Sequence, residues 1–254
     1  MGQKHQEKTN SRLIYGIHPI LEALEAGKSV EKILIRRERG EHARIQDVRT
    51  LAKETDIPVQ WVPEVKIERL SRGGNHQGVL AYLSPITFQS LDEVMLSLGQ
   101  TEKIPLLIML DRVTDVRNFG AIARTAVCMG ADALIVPTQG AAAIGGDAIK
   151  TSAGALHHIP ICRVHNLTDT FYILQTYGLQ GVACTEKAEN SLLELDMRTP
   201  TCLIFGAEDK GISSQLLKRV DHLAKIPVQG PINSLNVAVA VGMALMEVAR
   251  QRSR

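Results

Sequence analysis

The segment IPLLIMLD at residues 104–111 constrains the fold more than any other part of the sequence. A strand with one face in water alternates apolar and polar residues, whereas this segment is apolar up to its final aspartate, which is typical of a strand covered on both faces. Further apolar runs, separated by helix-like stretches, are ALIVP at 133–137, IPICRV at 159–164, GVACT at 181–185, CLIFG at 202–206 and LAKIPV at 223–228. This alternation predicts an α/β domain with a mostly parallel sheet and helices on both of its faces.

A smaller α/β unit is predicted ahead of that domain. The runs KILIRR, IPVQWV and QGVLAYL have the length of strands, and amphipathic helix patterns lie before and between them. The sequence therefore predicts a disordered polar tail at 1–11, a small α/β domain at 12–83, a linker with one short helix at 84–103 and the larger domain at 104–254.

The overall composition is that of an ordinary water-soluble globular protein, with 44% hydrophobic and 22% charged residues. The net charge of +2 permits RNA binding without indicating it. The four cysteines are far apart and form no CxxC pair, so we expect neither a zinc site nor a redox centre. The sequence shows no signal peptide and no apolar run of the ~18 residues that a membrane span needs. We therefore expect a cytoplasmic protein without a membrane partner.

Three loops that follow predicted strands hold the candidate site residues. In a parallel α/β sheet, ligands bind where the carboxyl ends of the strands run into loops and helices. The candidates are Asn118 and Arg124 in DRVTDVRNFGAIAR, Gly206, Glu208 and Gly211 in LIFGAEDKGIS, and Ile226, Pro227, Ser234, Leu235 and Asn236 in IPVQGPINSLN.

Arg124 has an unusual setting within a helix of small apolar residues. A helical wheel places it between Gly120, Val127 and Cys128, so we expect a buried side chain that needs an acceptor, for which Glu208 is the natural candidate. A core ion pair is one interpretation, and an arginine directed at a phosphate or a ribose is the other.

The third loop and the helix after it also leave two interpretations open. Ser234 is a good N-cap for the final helix. Asn236 is either a capping residue or an amide positioned beside a ligand. The helix behind them is apolar nearly all round, so we expect it to be buried, in part against another subunit.

Common nucleotide-binding motifs are absent from the sequence. Lys210 precedes the second glycine of its loop, whereas a Walker motif needs Gly-Lys followed by Ser or Thr. No GxGxxG follows a predicted strand, which argues against a nucleotide-cofactor oxidoreductase.

The three loops, in this order, resemble the motifs of the SPOUT class of RNA methyltransferases, and more closely those of the TrmH/SpoU family, which methylates ribose 2′-oxygens. The resemblance is carried by NFGAIARTA, LIFGAEDKGIS and IPVQGPINSLNVAVAVGMAL. The stretches YGIHPILEAL, HQGVLA and SAGALHHIPICRVHNL are similar to the branch that methylates a guanosine of 23S ribosomal RNA. Two positions depart from the family pattern: Val116 replaces a proline, and Asp209 replaces a glycine.

The resemblance implies a trefoil knot in the larger domain and a ribosomal-protein L30e-like fold for the small one. It implies S-adenosylmethionine as cofactor, 23S ribosomal RNA as substrate and a homodimer formed through the knotted domain. The residues that it implies are Gly206, Ile226, Leu235, Gly211 and Pro227 for the cofactor site, and Arg124, Asn118, Glu208, Ser234 and Asn236 for catalysis. Two alternatives stay open: a transfer-RNA 2′-O-methyltransferase, and a catalytically silent assembly factor that binds ribosomal RNA.

Overall fold

The chain divides into two compact units. The computed structural model describes residues 12–37, 44–232 and 234–253, so the predicted tail at 1–11 lies outside the described residues. The boundary falls between Thr87 and Phe88, within the segment predicted as a linker. No described helix is long and apolar enough to cross a membrane.

The first unit is a small sheet with helices on both faces. Its described elements are β1 (Leu13–Tyr15), α1 (Ile17–Glu25), β2 (Val30–Arg36), α2 (Ile45–Glu54), β3 (Val59–Val62), α3 (Glu64–Ser71) and β4 (Val79–Leu83). The strand order is β1-β4-β2-β3; β4 runs antiparallel to β1 and β2, and β2 runs parallel to β3.

The side-chain alternation of β2 explains this layering. Ile33 and Ile35 point to one face, where α1 and α2 bury their apolar sides, and Leu34 points to the other, where Ile67 of α3 packs. The small unit therefore has a core on each side of its sheet.

The second unit is a parallel α/β domain. Its described strands are β5 (Leu106–Asp111), β6 (Ala133–Pro137), β7 (Ile161–Val164), β8 (Gln180–Cys184), β9 (Thr201–Gly206) and β10 (His222–Ala224). Its described helices are α4 (Leu91–Gly99), α5 (Val116–Cys128), α6 (Gly146–Thr151), α7 (Leu167–Thr176), α8 (Ser214–Leu217) and α9 (Val237–Arg252), with 3₁₀ turns at Ala155–His157 and Leu192–Glu194. The strand order is β10-β8-β9-β5-β6-β7. Neighbouring described strands are parallel throughout, which confirms the predicted parallel sheet.

β5 lies at the centre of this sheet, between β9 and β6, and all its residues are buried. This is the environment that its continuous apolar sequence predicts. α4 packs against the same core through Leu91, Val94 and Met95. Its helix was predicted to lie in a linker at 84–103, but its buried apolar face makes it part of the second unit.

Candidate functional site

Three polar side chains from distant loops meet at the carboxyl ends of β5 and β9. Asn118 lies in the first turn of α5, Glu208 follows β9, and Asn236 precedes α9. Glu208 Oε1 accepts hydrogen bonds from Asn118 Nδ2 at 3.1 Å and Asn236 Nδ2 at 2.7 Å. Asn236 Nδ2 also lies 3.0 Å from Asn118 Oδ1. The structure therefore brings together three of the residues chosen from the sequence.

Helix capping places two members of this cluster. Asp115 is the N-cap of α5, and its carboxylate accepts a hydrogen bond from the backbone N–H of Asn118 at 2.8 Å. Asn236 is the N-cap of α9, and its Oδ1 accepts from Ala238 N and Val239 N. The sequence assigned this capping role to Ser234, which is wrong: Ser234 lies two residues before the cap and is exposed.

The orientation of the Asn236 amide follows from this cap. The backbone N–H groups of the first helical turn can only donate, so the amide oxygen must face them and the amide nitrogen must face Glu208. Glu208 Oε1 also lies 3.4 Å from Val237 N. A carboxylate at the amino end of α9 is favourable, because the free N–H groups there carry partial positive charge.

Arg124 does not join this cluster. Its side chain is exposed, and among the described residues it makes no hydrogen bond or ion pair. The expectation of a buried arginine paired with Glu208 is therefore wrong. α5 packs through Phe119, Ile122 and Ala123, and Arg124 points away from them. At about 100° per residue, Arg124 lies roughly 120° around the helix from Asn118 and about 9 Å further along its axis.

A cavity of about 400 Å³ opens beside the cluster. Its walls come from the carboxyl ends of β8 and β9, the loop after β9 and the segment before α9. Predicted site residues that line it are Gly206, Glu208, Gly211, Ile226, Ser234, Leu235 and Asn236. Pro227, Asn118 and Arg124 do not belong to its lining.

The loop after β9 forms one wall through close backbone contact. A Cβ on Gly206 would overlap the backbone of Gly211 and Ile212. Ala207 and Gly211 form a backbone bridge in which Gly211 N donates to Ala207 O at 2.8 Å. Gly211 has φ 62°, a conformation that glycine adopts without steric penalty.

The sequence missed one wall of the cavity, formed by Cys184, Thr185, Glu186 and Lys187. This segment follows β8, and β8 pairs with β9, so its carboxyl end lies at the same edge of the sheet. Only part of the signal was in the sequence: GVACT was predicted as a strand of the same parallel sheet, but its place beside β9 was not predicted. Burial raises the pKa of the Cys184 thiol to about 12, so at neutral pH it is a protonated, poor nucleophile.

The chemistry of the lining suits a mixed polar and apolar ligand. Ile226 and Leu235 offer apolar contact, the glycines expose backbone groups, and Glu186, Lys187 and Asp209 bring charge. The volume is within the usual range for small-molecule sites. No cluster of metal-ligating side chains occurs within residues 12–37, 44–232 and 234–253. The arrangement can therefore hold a nucleoside-sized ligand and position a polar group beside it.

Comparisons with known proteins identify the family of the chain. The model of the SpoU rRNA methylase family matches residues 105–246, and that of an RNA 2′-O ribose methyltransferase substrate-binding family matches residues 13–89. A 23S rRNA (guanosine-2′-O-)-methyltransferase of Pseudomonas putida is 38% identical over 242 residues, which cover 94% of this chain and 96% of the relative. An uncharacterized tRNA/rRNA methyltransferase of Synechocystis is 32% identical over 94% of this chain, which spans only 62% of that longer protein.

A solved structure shares both the fold and part of the sequence. The SpoU methyltransferase AviRb from Streptomyces viridochromogenes, determined in complex with its cofactor AdoMet, superimposes with a TM-score of 0.60 and 26% identity. The match covers 95% of this chain and 90% of that one. The chain belongs to the SpoU rRNA methylase family of RNA 2′-O-methyltransferases, whose methyl donor is S-adenosylmethionine.

Proposed function

We propose that this enzyme methylates the ribose 2′-oxygen of a guanosine in 23S ribosomal RNA, and that it acts in the cytoplasm, where that RNA is made. The observation that carries the proposal is the cavity at the carboxyl ends of β8 and β9, with the cluster of Asn118, Glu208 and Asn236 at its border. The guanosine target is supported by the relative from Pseudomonas putida, which matches this chain over nearly its full length.

The cavity is the proposed cofactor site. Gly206, Gly211, Ile226 and Leu235 would hold the nucleoside part through backbone groups and apolar contact, and Pro227 lies next to them in the chain. S-adenosylmethionine supplies a methyl group already activated on a positively charged sulfur. The protein must therefore align the acceptor oxygen with that methyl group, and alignment alone can supply much of the acceleration.

Arg124 is proposed to act on the acceptor oxygen. A free guanidinium keeps its proton up to a pH of ~12 or above, so we assign it the stabilisation of developing negative charge rather than proton removal. Its exposure and its freedom from partners among the described residues leave it available to an incoming ribose or phosphate. Glu208 would hold the two amides of Asn118 and Asn236 in place, while Ser234 would contribute its hydroxyl at the cavity wall.

The architecture proposed for the second unit includes a trefoil knot. Support comes from the path of the chain: after β6 and β7 it crosses to the other side of β5 to form β8 and β9. It finally returns through α9, which packs on α5 and β9. For the first unit we propose an L30e-like fold, supported by its three layers and its mixed sheet.

The first unit is proposed to hold the RNA around the target. Arg37 follows β2 and Arg44 precedes α2; both are exposed, and Arg44 Nη1 lies 2.6 Å from His18 Nε2. Tyr15, at the end of β1, is 38% exposed and offers a stacking surface. Basic groups beside an aromatic ring suit phosphates and an unstacked base.

Two copies of the chain are proposed to form the active enzyme. Val239, Met243 and Met246 of α9 are 51%, 44% and 60% exposed. Their spacing of four and three residues places them on one face of the helix. An exposed apolar stripe of this kind is typical of a subunit interface.

The proposal is tested by incubating the purified chain with radiolabelled S-adenosylmethionine and either 23S ribosomal RNA or transfer RNA, and then mapping 2′-O-methyl positions. We expect one methylated guanosine in 23S RNA. Methylation of transfer RNA alone would favour the first alternative. RNA binding without any methyl transfer would favour the assembly factor and contradict the proposal.

A further inference from the structure

Arg112 has a backbone conformation that is unusual for its residue type. It follows β5 directly and has φ 61°, in the left-handed region. A side chain in this region is strained, and glycine or asparagine would adopt it at lower cost. A strained non-glycine residue next to a site is a reason to ask what its side chain does there.

The Arg112 side chain bridges two segments of the second unit. Its Nε donates to Asp111 Oδ1 at 3.0 Å, and its Nη2 donates to Gly211 O at 3.1 Å. Asp111 is 5% exposed, and its second oxygen accepts from Ser213 N at 2.6 Å. The guanidinium is therefore held by a buried carboxylate and reaches a carbonyl 99 positions along the chain.

These contacts fix the loop at 207–213, which forms a wall of the cavity. Ala207 N donates to the backbone oxygen of Asp111 at 3.0 Å, so the loop is held at its start by β5. The Asp111 carboxylate holds Ser213 near the end of the loop, and Arg112 holds Gly211 between these points. Gly211 itself lines the cavity.

We propose that Arg112 is a positioning residue that fixes the Gly211 wall of the cofactor cavity. The left-handed backbone at this position directs the guanidinium from the end of β5 across to the loop after β9. Arg112 acts through the loop and does not need to touch the ligand. The identity of that ligand rests on the proposed function. The hydrogen bond from Arg112 to Gly211 is a feature of the structure and does not depend on it.

Arg112→Gly tests the proposal, because it removes the guanidinium and relieves the backbone strain together. In the protein without cofactor, we expect amide hydrogen exchange in 207–213 to become about tenfold faster, since the loop loses a charge-assisted hydrogen bond. By calorimetry, we expect affinity for S-adenosylmethionine to fall by about tenfold. With saturating cofactor, kcat should stay within about twofold of the wild-type value, so the loss of affinity should appear in the KM for S-adenosylmethionine. Arg112→Lys keeps the charge and should recover part of the affinity.

Arg72→Gly is the matched control. Arg72 is also an arginine in the left-handed region, with φ 53°, but it lies in the first unit, at the end of α3. Its replacement relieves a similar strain and should leave both the exchange of 207–213 and the cofactor affinity unchanged.

Three results would overturn the proposal. The first is an Arg112→Gly variant with wild-type loop exchange and wild-type affinity. The second is faster exchange throughout the second unit, which would make Arg112 a general stabiliser of the fold. The third is a loss of methylation with loop and affinity unchanged, which would assign Arg112 to the RNA. If the wild-type chain binds no S-adenosylmethionine, the proposed function fails, while the loop exchange still decides whether Arg112 fixes the wall.

Discussion

Replacement of Arg124, a proposed site residue, should leave the rest of the structure undisturbed. It is exposed, and within the described residues it has no partner to leave unsatisfied. We expect Arg124→Ala to lower kcat by about 100-fold or more, because the developing charge on the oxygen loses a donor. Cofactor affinity and melting temperature should stay unchanged. Single-turnover methylation, calorimetry and thermal unfolding check this expectation.

Arg117→Ala provides the control for that substitution. Arg117 is exposed and lies seven residues before Arg124, on the same side of α5. It tests whether the loss of any positive charge on this face of α5 lowers kcat. A fall in kcat of similar size in both variants would contradict a specific role for Arg124.

The polar cluster shows how far single residues could be predicted. The motifs indicated that Asn118, Glu208 and Asn236 belong to one site, since loops at the carboxyl ends of parallel strands share an edge. The partner of Glu208 was predicted wrongly. Its hydrogen bonds depend on which side of α5 faces the loop and on the cap that orients Asn236. Neither is specified by sequence spacing, because both depend on how α5 and α9 pack.

At the level of the elements, the contact between α5 and α6 depends on a glycine. A Cβ on Gly120 would overlap the side chain of Thr151, with the Cβ of Thr151 at 2.7 Å and Ser152 N at 3.0 Å. We expect Gly120→Ala to lower the free energy of unfolding by about 1–3 kcal/mol, because α6 must shift away. Gly242 in α9 has only an ordinary contact, 3.6 Å from Thr125 Cγ2.

Gly242→Ala is therefore the opposite case, in which better helix propensity should raise stability by about 0.5–1 kcal/mol. Thermal and urea unfolding at one fixed protein concentration compare the two variants. Equal effects of both replacements would show that helix propensity, and not the α5–α6 contact, decides the result.

Element types were easier to predict than element ends. The run ALIVP was assigned as β6 with its observed bounds, because apolar strands of a parallel sheet have a clear signature. The run predicted as a strand at 223–228 is replaced by the shorter β10, which ends at Ala224. α9 begins at Val237 rather than directly after Ser234, since the side chain of Asn236 satisfies the first N–H groups. Such ends are decided by local hydrogen bonds that apolar periodicity does not report.

At the scale of the whole molecule, strand order was the main feature that the sequence left open. Alternating strands and helices predicted the parallel sheet but not the position of β8 beside β9. For that reason the wall formed by Cys184 and its neighbours was missed, although its strand was predicted. The segment containing α4 was assigned to a linker for a related reason. An apolar helix face does not show by itself which core it packs against.

The exposed stripe of α9 leads to a prediction about assembly. Met243 and Met246 lie on an apolar face of a helix whose opposite side is buried against its own unit. A second copy that covers this stripe would bury surface now in water, at a gain of about 25 cal/mol per Å². In sedimentation at micromolar concentration we expect the wild-type chain to show twice its 27.8 kDa mass. Met246→Glu would place a charge in the interface and should give monomers with an unchanged circular dichroism spectrum and reduced methylation.

Leu96→Glu tests whether this effect is specific to α9. Leu96 in α4 is 67% exposed, comparable to Met246 at 60%, so the substitution adds the same charge at an equally exposed apolar position of the same unit. It should leave both mass and methylation unchanged. A wild-type monomer, or a Met246→Glu variant that remains dimeric, would show that this face of α9 does not join two copies.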